Sequence, residues 1–369
     1  MKKVLTLIGT RPNFIKVTQF KRVAEQSGME LHLAHTGQHY DHKMSGVFFE
    51  QFQLAPDHFL DIPKGISANQ QIANIMLKLD EYIKETFRPD LFLVVGDVNS
   101  TLAGALFAHK SGIPLGHIES GLRSRDEGMP EEINRILTDR ITDYFFVTEQ
   151  SGYDNLLAEG IEKERIYFVG NTMIDTLVAF SPQIEAANIL EELKVTKGHY
   201  ALMTMHRPAT VDHKEGLLEL IEVIKLITAD HPLVFPIHPR TKHRLESFDL
   251  FDEVKAIDGL ILCPPIGYFE FQKLIKYAAY IVTDSGGIQE ETTFQQVPCL
   301  TLRPNTERPS TIELGSNTLV PFDIDVIAPL IRAIQTGTYK KGNVPPMWDG
   351  KATERIFEHI MSLSPALVK

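Results

Sequence analysis

The chain has 369 residues, 43% of them hydrophobic and 23% charged, which is the composition of an ordered globular protein of about two domains. Its formal charge is −11, with 37 Lys+Arg against 48 Asp+Glu and no basic block, so neither nucleic acid nor an anionic membrane is the expected partner. No apolar run reaches the roughly 18 residues of a membrane span, and the run from Val4 to Ile8 is too short for a signal peptide. Cys263 and Cys299 are too few for a disulfide framework, which points to a reducing cytoplasm.

In chain order, Val4–Ile8 is a continuous apolar strand that breaks at Gly9-Thr10-Arg11-Pro12. The spacing of Phe14, Val17, Phe20 and Val23 predicts one helix ending near Gly28, followed by a strand over Leu31–Thr36. Ser67 with Gln70 is a capping-box signal for a helix carrying Ile72, Ile75, Met76, Leu79, Tyr82 and Ile83. Strands are then expected at Leu91–Val95, Leu115–Glu119, Tyr144–Thr148 and Arg165–Val169, with helices from about Pro130, Gln150 and Thr172. A polar stretch over Ser181–His199 interrupts the series. The pattern then restarts with strands at Tyr200–Met205, Leu233–His238, Leu260–Cys263, Tyr280–Thr283 and Cys299–Leu302. Strands alternating with helices imply right-handed crossovers and a parallel sheet, here occurring twice. The expected domains are 1–180 and 181–346 with a cleft between them, plus a helix in 347–369 that crosses back onto the first.

Functional groups in such sheets sit just past the carboxyl ends of strands. Those positions hold Arg11 and Lys16, then Asp97, then Glu119, then Glu131 and Glu132 behind Pro130. In the second half they hold His206-Arg207, His238-Pro239-Arg240, Asp284-Ser285-Gly286-Gly287 and Thr306-Glu307-Arg308. Each has a bland alternative. Asp97 fits the cap of a helix beginning at Thr101, and two glutamates at a helix start suit its macrodipole. Ser285-Gly286-Gly287 fits a tight turn as well as a backbone cradle for a phosphate. Lys16 and Arg308 fit solvated surface cations. His35, His39, Asp41 and His42 share no regular face, so a polar loop is expected there rather than a metal site. No Walker motif and no Gly-x-Gly-x-x-Gly follows a strand, which disfavours a nicotinamide cofactor.

The ordered set Gly9-Thr10-Arg11-Pro12, Thr36-Gly37-Gln38-His39, Gly96-Asp97, His117–Arg123, Pro130–Arg135, Gly170-Asn171-Thr172, His206-Arg207, Thr283–Glu291 and Thr306–Pro309 resembles the non-hydrolysing UDP-N-acetylglucosamine 2-epimerase family over nearly the whole chain. The resemblance implies a GT-B-like α/β fold of two Rossmann-like, doubly wound parallel-sheet domains, usually as a homodimer. It implies interconversion of a UDP-GlcNAc-type sugar nucleotide with its C2 epimer. The implied route is elimination of UDP to a 2-acetamidoglucal and re-addition, with no cofactor. By motif, Asp97, Glu119 and Glu131 correspond to acid/base carboxylates and His206 to a histidine beside the departing diphosphate. Arg11, Lys16 and Arg207 correspond to nucleotide-side cations. Ser285, Gly286 and Gly287 correspond to the diphosphate cradle, Glu291 to the acceptor of the ribose hydroxyls, and Arg308 to a cation on the facing wall.

The chain also departs from the family pattern. Pro208-Ala209-Thr210 follow His206-Arg207, and Asn13 stands where Glu is common. Gln38-His39 match the loop that carries an allosteric site in many relatives, but Tyr40-Asp41 follow and no Arg lies between Arg22 and Arg88. That loop and His238-Pro239-Arg240-Thr241 are closer to relatives acting on UDP-2,3-diacetamido-glucuronate, whereas Thr306–Pro309 is closer to the UDP-GlcNAc enzymes. A GT-B glycosyltransferase and a non-catalytic sugar-nucleotide sensor are the rival readings.

Overall fold

A computed structural model describes residues 2–37 and 51–363, which leaves Gln38, His39, Asp41 and His42 outside the described residues. The chain divides into two compact units, Met1–Ala179 with Pro346–Lys369, and Phe180–Pro345.

Unit 1 contains seven strands: β1 (Lys3–Ile8), β2 (Glu30–His35), β3 (His58–Phe59), β4 (Leu91–Val95), β5 (Leu115–Ile118), β6 (Tyr144–Val147) and β7 (Ile166–Phe168). Their order is β3-β2-β1-β4-β5-β6-β7, with every pairing parallel. Unit 2 contains β8 (Ala201–Thr204), β9 (Leu233–Pro236), β10 (Leu260–Cys263), β11 (Tyr280–Thr283), β12 (Cys299–Leu302) and β13 (Asn317–Val320), in the order β10-β9-β8-β11-β12-β13. Both are doubly wound. The order reverses between β1 and β4 in one sheet and between β8 and β11 in the other, and that switch point opens a crevice past the strand ends. Central strands are covered on both faces, which is why they read as unbroken apolar runs. Val4, Leu5, Phe92, Leu93 and Val94 are all fully buried, at about 1.5–3 kcal/mol for each large side chain.

Several local expectations change. The first predicted helix is two, Arg11–Lys16 and Phe20–Gln26. The chain turns through Val17–Gln19 because the buried Thr18 hydroxyl bonds that of Thr176 at 2.6 Å. The polar stretch from Ser181 is not an interruption but two short helices, Ser181–Ala186 and Ile189–Glu192, whose Ile184, Ile189 and Leu190 are buried. β3 and β13 belong to the sheets although neither was expected. Glu119 lies outside β5, in the left-handed region at φ 71°.

The chain returns to unit 1 at its end. Trp348 is buried and donates its indole N–H to the Thr148 carbonyl at 2.9 Å. The Asp175 carboxylate caps the helix Ala352–Ser362 by accepting from the N–H groups of Ala352 and Thr353, at 3.0 and 2.6 Å. Phe357 then meets Phe20 edge-on, with centroids 5.5 Å apart.

Candidate active site

At the switch point of unit 1 the β1 turn is fastened to the β4 turn by Asn13. Its Oδ1 accepts from the Thr10 hydroxyl at 2.8 Å, and its Nδ2 donates to the Val95 carbonyl at 2.9 Å. Gly96 adopts φ 70°, and a Cβ there would stand 3.1 Å from Asn13 Nδ2 and 3.5 Å from both Glu119 Oε2 and Lys16 Nζ. These groups therefore converge over a residue that must be glycine. Lys16 and Glu119 form an ion pair, and both are nearly inaccessible, which removes the surface-cation alternative for Lys16. Arg11 is exposed at the head of its helix.

Asp97 does not cap a helix. The next helix is Asn99–Lys110 and Val98 occupies the cap position. The Asp97 carboxylate instead accepts from Arg135 Nη2 at 2.5 Å and remains about a quarter exposed. Arg135 Nη1 bonds Glu132 at 2.7 Å. Glu132 is buried and also accepts from the Ser124 and Arg125 N–H groups, at 2.9 Å each, and from the Ser124 hydroxyl at 3.0 Å. Burial opposes its ionisation, but these donors and Arg135 hold the Glu132 carboxyl below its usual range. The two glutamates of one helix start thus differ. Glu132 is committed to the protein's own donors, whereas Glu131, in the same first turn, is half-buried.

Beneath both turns lies a fully buried relay. His117 Nε2 bonds the Gly96 carbonyl at 2.7 Å and its Nδ1 bonds Asp139 at 2.6 Å. Asp139 also accepts from the Gly121 N–H at 3.0 Å and pairs with Arg123 at 2.7 Å. Arg123 in turn grips Glu159 through two 2.8 Å bonds. Burial opposes ionisation of Asp139, yet His117 and Arg123 hold it below its normal range. The relay ties the loop before Asp97 to the turn after Glu119.

In unit 2, His206 and Arg207 leave β8 beside Asp284, the residue after β11. The wholly buried Asp284 accepts from the His206 and Arg207 N–H groups at 2.8 and 2.7 Å. Its other oxygen stands 2.9 Å from His206 Nδ1, which leaves Nε2 of the half-exposed ring for a ligand. Burial works against the Asp284 charge, but the His206 partner and these N–H groups hold its carboxyl below the usual range. Ser285 precedes the helix Gly286–Gln295, whose first N–H groups form a positive end. A Cβ on Gly286 would lie 3.0 Å from Glu307 Oε1, 3.1 Å from Arg308 Nη1 and 3.7 Å from Arg303 Nη1. Arg308 is buried and paired with Glu290 at 2.8 Å and with Glu307, so it is no solvated cation. Glu291 is buried one turn into the same helix.

The structure thus gathers Asp97, Glu119 and Lys16 at one switch point, with Arg11 heading the helix past β1. His206, Arg207, Ser285, Gly286 and Gly287 meet at the other. It gives partners to Glu132 and Asp284, which the strand-end positions name without a role, and adds Asn13, His117, Arg135 and Arg303. Arg303 directly follows a strand and was findable there. The others act through contacts that no spacing encodes. Among the described residues, no cluster of His, Cys, Asp and Glu is arranged to hold a metal ion.

Comparison with known proteins identifies the family. The family model described as UDP-N-acetylglucosamine 2-epimerase matches residues 21–361. A UDP-N-acetylglucosamine 2-epimerase of Methanocaldococcus jannaschii is 41% identical over 361 residues, covering 96% of this chain and 97% of that protein. A UDP-2,3-diacetamido-2,3-dideoxy-D-glucuronate 2-epimerase of Pseudomonas aeruginosa is 37% identical, covering 98% of this chain and 100% of that one. The crystal structure of the Methanocaldococcus jannaschii enzyme with UDP-GlcNAc and UDP superposes with a TM-score of 0.87 at 40% identity, over 97% of this chain and 99% of that one. With two doubly wound sheets of the GT-B-like class and carboxylates and cations at both switch points, the chain belongs to the UDP-N-acetylglucosamine 2-epimerase family.

Proposed function

We propose that the protein interconverts UDP-N-acetylglucosamine and its C2 epimer by eliminating and re-adding UDP. The observation that carries this reading is the carboxylate set of unit 1, with Asp97 on Arg135 and Glu119 on Lys16, within a chain of this family. The C2 proton is not acidic, so it leaves together with the C1–O bond, whose electron pair departs with UDP and leaves a C1=C2 double bond. Return of a proton to the opposite face, with re-addition of UDP, gives the epimer. Two faces require at least two acid/base groups, which Asp97, Glu119 and Glu131 supply. His206, oriented by Asp284, stabilises charge developing on the leaving diphosphate. The N–H groups of Gly286 and Gly287 bind that diphosphate beside the Ser285 side chain, whose own N–H is held by the Thr283 hydroxyl at 3.0 Å, with Arg11, Lys16, Arg207 and Arg308 as cations and Glu291 accepting from the ribose.

We assign the protein to the cytoplasm, a reading supported by the free thiols Cys263 and Cys299, which suit a reducing compartment; no helix among the described residues is long and apolar enough to cross a membrane. We also infer a homodimer, supported by Ile133, Ile136 and Leu137, which expose one apolar face of the helix Pro130–Ile141.

The test is proton exchange. In deuterated water, NMR should show deuterium entering C2 of both epimers during turnover of UDP-N-acetylglucosamine. Epimerisation with complete retention of the C2 proton would sink the elimination route. The diacetamido-glucuronate substrate, run alongside, decides between the two substrate readings that the relatives support.

A further inference from the structure

We propose that Arg303 is a phosphate-binding residue, forming the inner wall of an anion subsite whose floor is the N-terminus of the helix Gly286–Gln295. The assignment rests on the reading of unit 2 as the nucleotide-binding half. Arg303 follows β12 directly and is 3% exposed. Its Nη2 bonds Glu307 at 3.1 Å. Its Nε and Nη1 are buried without a hydrogen-bond partner among the described residues. Buried guanidinium donors lacking acceptors are costly, and in native structures such groups call for an ordered water, an ion or a ligand.

The position of Nη1 identifies the ligand. Nη1 lies 3.7 Å from where a Cβ of Gly286 would stand, behind Glu307 Oε1 at 3.0 Å and Arg308 Nη1 at 3.1 Å, so the unpaired Nη1 is near the first residue of a ten-residue helix. Glu307 binds both Arg303 and Arg308 and so fixes the two guanidiniums relative to one another. Burial lowers the Arg303 pKa below the usual arginine range, and the nearby Arg207 and Arg308 charges act in the same direction against Glu307. Crowded cations of this kind are relieved by an anion with several oxygens. An unpaired guanidinium N–H and a second guanidinium beside a helix N-terminus suit a phosphate group, whose several oxygens can meet donors from more than one side.

Calorimetric titration of UDP and of uridine into wild type, Arg303→Gln and Arg303→Lys tests the assignment. Arg303→Gln should weaken UDP binding by ~10–100-fold, the scale of lost hydrogen bonds to a charged group, while uridine binding changes less than twofold. Arg303→Lys should restore part of the UDP affinity, because the charge returns without the directed guanidinium N–H. Equal losses for UDP and uridine, with a lowered melting temperature, would make Arg303 a structural residue and overturn the proposal. Unchanged UDP affinity in Arg303→Gln would overturn it alone. A wild-type protein that bound no UDP would remove the functional reading along with it.

Discussion

The two switch points do opposite things with charge. In unit 1 two of the three candidate carboxylates are held by a side-chain cation, Asp97 by Arg135 and Glu119 by Lys16, over the buried His117–Asp139–Arg123 relay. In unit 2 the exposed elements are backbone N–H groups and a histidine, while the carboxylates Asp284, Glu290 and Glu307 sit behind them as braces. Groups that must exchange protons need partners that fix their geometry and modulate their charge. Groups that only bind a diphosphate are better built from donors that do not titrate.

The largest effect that follows is on Asp97. Asp97→Asn keeps the size of the side chain and removes its basicity, so turnover should fall ~10²–10⁴-fold while UDP affinity stays within a few-fold. Initial rates with calorimetry check this, and a variant that kept its saturated rate but lost UDP would reverse the roles of the two units.

Next is the contrast between neighbouring glutamates. Glu132→Gln breaks a buried set of charged hydrogen bonds and should cost about 3 kcal/mol in urea unfolding, whereas Glu131→Gln should leave stability nearly unchanged and lower turnover. The sign with pH follows from the depressed Glu132 carboxyl. Its contribution is fully present above the unfolded carboxylate range and is lost as pH falls through the lower folded value, so the gap between wild type and Glu132→Gln should close on acidification.

A smaller effect is expected at Asp284. Asp284→Asn withdraws the carboxylate facing His206 Nδ1, so turnover should drop by roughly tenfold or more while the fold is kept. Initial rates that stayed at the wild-type level would show that Asp284 supports only the His206-Arg207 backbone.

The smallest effect tests a position outside both sites. Burial lowers the His35 imidazole to about 4, from 6.5, while its Nδ1 accepts from the Gly37 N–H at 2.8 Å. Below pH 6.5 the unfolded chain takes up a proton that the folded chain resists, so stability falls as pH drops toward 4, by on the order of 1 kcal/mol near pH 5.5. Comparing urea midpoints of wild type and His35→Phe between pH 7.5 and 5.5 should show a shallower slope in the variant.

What was legible in the sequence is what local physics encodes. Leu91–Val95 and Tyr280–Thr283 are apolar runs long enough to be buried on both faces, and both are strands at those residues. Ser67 and Gln70 make the two reciprocal capping bonds that their spacing predicts, at 3.0 and 3.2 Å. Pro130 starts its helix because its missing N–H would have no partner there. The strand-end rule located the candidate site because parallel crossovers bring those ends together whatever the side chains are. Tertiary structure decided the rest. β3 is a two-residue strand with no pattern of its own and exists only because β2 offers it an edge. The break at Val17–Gln19 depends on Thr176, and the final helix is placed by Asp175, both remote in sequence. Glu131 and Glu132 are chemically identical neighbours, and only the position of Ser124, Arg125 and Arg135 makes one a brace and leaves the other half-buried. A residue's type states which bonds it can make, but its role is set by which donors, acceptors and water the fold leaves within reach.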